Sequence, residues 1–234
     1  MVGQLVAAEP AIIAKARARL APDAVLDAVH SLHYVGTLEG PDAADPTKTA
    51  RQTIEIILQK PAQQRIVISS DKIIEVSALD GYDAWRRIID AKNPKRWEQS
   101  QMGVEDIKKL RADVWQNLAY FRGIEKVGGY IEDLGTVKLD GILCRKLAFH
   151  HSETIINLRY FDEATGQLML TGLPAYNTRE QGELMSGGIR FAKSLVITQT
   201  VGTNVITRKI TFDKITVNET FPASLFAVPL AIAK

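Results

Sequence analysis

The strongest constraint in this sequence is a long succession of short segments with apolar residues at period two, each closed by a turn signal. Ile54, Ile56 and Leu58 share one face of such a segment, and Glu55, Ile57 and Gln59 the other. That alternation is the mark of a half-buried strand. Segments of this kind run over 33–39, 51–60, 65–70, 72–79 and 84–90, then over 130–139, 142–150, 153–161, 167–173, 189–200 and 205–217. Asp80-Gly81, Asp140-Gly141 and Gly202-Thr203-Asn204 join neighbours through a few residues, where a parallel pair needs a crossover of about a dozen. The expected fold is α+β, a curled antiparallel sheet of about ten strands wrapped over helices. The stretch 91–103 reads as polar and irregular, and 174–188 as a loop.

The helices lie at the start and in the middle. Pro10 suits the first position of a helix, and Ile12, Ile13, Ala16 and Leu20 follow at helical spacing, with Lys15, Arg17 and Arg19 directed to water. After Pro22, Asp23 caps a second short helix running to about Leu32. A central helix is predicted over Val104 to Phe121, with Ile107, Leu110, Val114 and Leu118 on its apolar stripe. With no fixed repeat and no low-complexity linker, residues 1–234 read as one domain, and 1–9 as a flexible N-terminal segment.

Composition excludes several functions. A net charge of +2 gives no field for nucleic acid or an anionic membrane surface, and no window reaches the ~18 uninterrupted apolar residues of a membrane span. The chain reads as soluble. Its single thiol, Cys144, can form no internal disulfide and sits in a strand as a small hydrophobe. His150 and His151 are adjacent on a strand and point to opposite faces, which argues against shared metal ligation. No Gly-x-Ser-x-Gly elbow occurs, and Gly123 to Gly129 has P-loop glycine spacing without the following Lys-Ser/Thr. We therefore expect no enzyme, no cofactor, no metal and no nucleic-acid partner. The N-terminal residues lack an intact signal peptide, yet Val6-Ala7-Ala8 is similar to the small-residue end of a cleavage site.

Several phrases resemble the outer-membrane lipoprotein-sorting and carrier superfamily, LolA-like and LolB-like. They are the helical entry and first strand from Ile12 to Gly36, the "LDGYDAWR" hairpin from Leu79, the "YFDEATGQL" turn from Tyr160, and the closing "ITFDKITVNETFPASLFAVP" from Ile210. The resemblance implies an exported, periplasmic protein with its signal peptide removed, whose half-barrel encloses an apolar cavity for acyl chains. Its partners would be lipoprotein acyl chains or lipid, or other envelope proteins; a cytoplasmic site and the oligomeric state stay open. Acyl chains would lie between the sheet and the central helix, touching Trp85, Trp97, Met102, Trp115 and Phe121. The alternative is an envelope interaction domain with a filled core and no ligand.

Overall fold

The computed structural model describes residues 9–42, 45–173 and 175–229. Two helices, α1 (Ala11–Leu20) and α2 (Asp23–Asp27), open the chain. Six strands follow: β1 (Ser31–Pro41), β2 (Thr49–Gln59), β3 (Gln63–Ser69), β4 (Ile73–Asp80), β5 (Asp83–Asp90) and β6 (Trp97–Gln101). Helix α3 (Val104–Leu118) then leads to β7 (Tyr130–Leu139), β8 (Ile142–His150), β9 (Ile156–Asp162), β10 (Leu168–Gly172), β11 (Asn177–Ser186), β12 (Ile189–Val201) and β13 (Asn204–Val217). All form one antiparallel sheet in the order β6-β5-β4-β3-β2-β1-β13-β12-β11-β10-β9-β8-β7. First and last strands meet in the middle, Leu32 opposite Val217, so each half of the chain is a meander fanning outward from that seam. The outermost strands β6 and β7 do not pair with each other, which leaves an open half-barrel.

The hairpins follow from their turn residues. Asp140 and Gly141 both have positive φ, 52° and 82°, the backbone of a two-residue turn whose twist matches its flanking strands.

Thirteen strands replace the expected ten or so. The two elements read as irregular or as loop, β6 and β11, are both strands. Each is rich in polar residues and largely exposed, so neither carries an apolar alternation. β11 is nevertheless laddered onto β12 from Asn177–Thr198 to Ser186–Ile189. A ladder needs only backbone donors and acceptors, so an uncovered strand can form without an apolar face.

The helices also differ in detail. α2 stops at Asp27 rather than near Leu32, and Pro10 is the cap of α1 rather than its first residue. α3 ends at Leu118, after which Tyr120 and Phe121 adopt left-handed φ values of 47° and 73°. Arg17, expected in water, is 1% exposed. It shares the inner face of α1 with Ile13 and Ala16. Its guanidinium donates to Asp23 (2.7 Å) and Asp27 (2.6 Å) and to the carbonyls of Ala119 (3.3 Å) and Tyr120 (3.1 Å). A cation at the end of α3 satisfies carbonyls that the helix leaves free. The expectations for residues 1–8, including Val6-Ala7-Ala8, fall outside the described residues. Glu9 is anchored, accepting from Arg122 at 2.8 Å.

The main core lies between the helices and one sheet face, with Leu26, Val29, Val114 and Leu118 against Ile54, Leu58, Leu79 and Phe212. Each such side chain contributes roughly 1.5–3 kcal/mol of burial. A second cluster joins Ile13 and Phe121 to Leu147, Phe149 and Phe161. On the opposite face, Val76, Ala78 and Trp85 are covered by the chain's own C-terminal segment. There Phe226 is fully buried and its carbonyl accepts from Trp85 Nε1 at 3.0 Å. The C-terminal segment thus covers part of the sheet on its second face.

Candidate functional site

A cavity of about 580 Å³ opens on the helix-covered face, between α1, α3 and the sheet. Its floor is apolar: Tyr34 of β1, Ile56 of β2, Ile66 of β3, Leu195 and Ile197 of β12, and Phe212 of β13. Strand alternation puts these side chains on one face, because residues two apart point the same way. One wall is polar. Asp113, Gln116 and Asn117 recur at helical spacing along α3, one stripe over from the core residues Leu110, Val114 and Leu118, and Tyr120 follows the helix end.

Arg159 of β9 adjoins that stripe through Gln116, and Glu180 of β11 also lines the cavity. Arg159 is 5% exposed, and its Nη2 donates to Gln116 Oε1 at 2.7 Å. Its guanidinium carbon lies 4.7 Å from the Phe121 ring centre and 4.9 Å from that of Phe149. Among the described residues Nε has no hydrogen-bond partner, and no carboxylate comes within ion-pair distance. Burial pushes Arg159 down to about 10, opposed by the charges of Glu180 and Asp113.

The two acids respond in the opposite sense. Burial pushes the Asp113 carboxyl up to about 7, with the Arg159 charge working against it. Glu180 lines the cavity from an exposed position on β11, and desolvation pushes its carboxyl up to about 6. His151, edge-on to Trp115 at 5.2 Å, is held down at about 4 by burial and then by Arg159. At the rim Glu183 pairs with both Arg19 and Arg190.

The arrangement can seat a molecule with an extended apolar part on the floor and a polar part against the wall. Among the described residues no cysteine or histidine lines the cavity. Cys144 is fully buried, and desolvation raises its thiol pKa, the reverse of an activated nucleophile. Among the described residues no group of three or more His, Cys, Asp or Glu could hold a metal ion.

Of the five residues singled out from sequence, Phe121 lines this cavity. Trp85 faces the other side of the sheet, under the C-terminal segment. Trp97 lies on the edge strand, 38% exposed, with Arg87 4.3 Å over its ring. Met102 packs against the main core before α3, and Trp115 joins the second cluster. Arg159 escaped notice, although Asn157, Arg159 and Phe161 alternate inward along β9 and a period-two reading places all three on one face.

No family model matches the sequence, and no curated protein matches it. Solved structures do share the fold. A LolA superfamily protein from Nitrosomonas europaea superimposes with a TM-score of 0.58 at 8% identity, covering 91% of this chain and 97% of that one. A DUF1329 family protein from Desulfovibrio piger gives 0.56 at 9% identity, covering 93% and 96%. An outer-membrane lipoprotein-sorting protein domain from Vibrio parahaemolyticus gives 0.54 at 9% identity, covering 92% and 95%. The fold is LolA-like.

Proposed function

We propose that this LolA-like half-barrel is a non-enzymatic carrier or sensor that holds the acyl chains of a lipid or lipoprotein, working in the periplasm. The cavity carries the reading: its about 580 Å³ falls within the range of ligand sites, and its floor is apolar. Each acyl methylene moved from water onto that floor contributes about 0.8 kcal/mol, so a single chain supplies useful affinity without any catalytic group. The fold shared with a lipoprotein-sorting domain supports the same class of cargo. An unfilled space between helix and sheet weighs against an interaction domain with a filled core. Envelope proteins that deliver or receive the cargo would be its partners.

Native mass spectrometry of protein purified from cells, together with titration of a fluorescent fatty-acyl probe, tests the proposal. We expect co-purified lipid or saturable uptake of one or two chains. Neither bound lipid nor probe uptake would overturn it.

A further inference from the structure

We propose that the cavity selects amphiphiles with one negatively charged head group, a carboxylate, phosphate or sulfonate, and that Arg159 receives that head. The inference rests on the acyl-binding reading above and narrows it.

The argument begins with an unmatched charge. A buried guanidinium is costly unless it is paired, and one without a paired carboxylate has donors left for an anion. Arg159 has five N–H donors and, among the described residues, one protein acceptor, Gln116. Its aromatic neighbours, Phe121 and Phe149, offer it no hydrogen-bond acceptor oxygen, which leaves donors for a ligand. Those donors match carboxylate and phosphate oxygens in spacing, a match that an alcohol or an ammonium lacks.

The other charges lining the cavity do not reverse this. Arg19, Arg159 and Arg190 face Asp113, Glu180 and Glu183. Glu183 is already shared between Arg19 and Arg190. Asp113 and Glu180 are both held toward their neutral forms by burial, whereas Arg159 keeps its charge across the physiological range. An arriving anion favours proton uptake by the two acids, so their negative charge yields to it while the charge of Arg159 stays. A cationic head would have to lie beside a guanidinium that cannot lose its charge. The lining also suits an amphiphile: it joins the polar pair Arg159 and Gln116 with the apolar Ile56, Leu195 and Ile197.

The test compares three probes with the same chain, hexadecanesulfonate, hexadecanol and hexadecyltrimethylammonium, displacing a bound fluorescent acyl probe from the full chain at pH 7. We expect the sulfonate to bind about tenfold or more tightly than the alcohol, about 1.4 kcal/mol. Arg159→Met should abolish that preference while the alcohol still binds, and Arg159→Lys should retain part of it. Equal binding of sulfonate and alcohol, or preference for the ammonium, would overturn the head-group inference and leave acyl binding standing. Failure of all three to bind would overturn both. If Arg159→Met does not fold, the ranking on the unaltered chain decides. Palmitate and phosphatidic acid, run in parallel, distinguish a fatty-acid carboxylate from a phospholipid phosphate as the source of the charge.

Discussion

Replacing Arg17 by methionine keeps the length and much of the apolar stem while deleting the guanidinium that ties α1, α2 and the end of α3 together. The consequences differ by partner. Asp23 keeps its pairing with Arg122 at 2.8 Å, and the half-exposed Asp27 returns to water. The Ala119 carbonyl still accepts from the Arg122 amide at 3.2 Å, but the Tyr120 carbonyl loses Arg17 as its donor. An unsatisfied buried carbonyl costs roughly 1–3 kcal/mol, and a charged hydrogen bond contributes about 1.5–3 kcal/mol. Release of the guanidinium from its own burial offsets part of this. We expect a net loss of about 3 kcal/mol, which for a chain of this size lowers Tm by roughly 6–12 °C. Differential scanning calorimetry reads it directly, with Arg17→Lys falling between the two. Tyr120 and Phe121 hold left-handed backbone and line the cavity, so acyl-probe affinity should fall as well. A Tm within about 2 °C of the unaltered chain would refute the assignment of Arg17 as the clamp.

Two further predictions follow from the cavity wall and from the seat of α1. Asp113 titrates at about 7 in the folded chain against an ordinary 3.8, so the folded state retains a proton that the unfolded state has lost. The stability this proton confers is present below about pH 4 and is lost as pH rises through 7. Asp113→Asn, unchanged in its setting of Gln116, Arg159, Glu180 and Tyr176, should gain stability relative to the parent from pH 4 to 8 in urea titrations; a gap independent of pH would contradict the reading. The turn after β9 is built by Asp162, whose carboxylate accepts from the Ala164 amide (2.8 Å) and the Thr165 hydroxyl (2.7 Å). It places Gly166 (φ +73°) where an added Cβ would lie 2.8 Å from the Ala16 amide nitrogen and the Lys15 carbonyl carbon. Gly166→Ala should therefore cost ~3 kcal/mol or more, while Gly81→Ala (φ +64°, with open space around it) should cost only ~1 kcal/mol. Equal midpoints for the two variants would show that α1 does not rest on this turn.

The period-two runs and their Asp-Gly turns were enough to specify an antiparallel sheet, since alternation and short connections are local properties of the chain. The positions of α1 and α3 were legible for the same reason, and so was the apolar stripe Leu110, Val114 and Leu118. β6 and β11 were not, because a strand that buries little has no hydrophobic signature and exists through its neighbour's backbone. The site divided along similar lines. Aromatic residues were singled out because they are large and apolar, yet Trp85 faces the C-terminal segment and Trp115 the second core, since which face of a sheet or helix looks into a cavity depends on what packs on the other. The burial of Arg17 and Arg159 needed partners over 100 and 40 residues away, Tyr120 and Gln116, which no local window contains. Local patterning determined by itself that this chain forms a curled sheet over helices. Only the tertiary structure decided that the sheet leaves a cavity, and that an arginine without a paired carboxylate stands in its wall, because enclosure and charge pairing are properties of distant residues brought together.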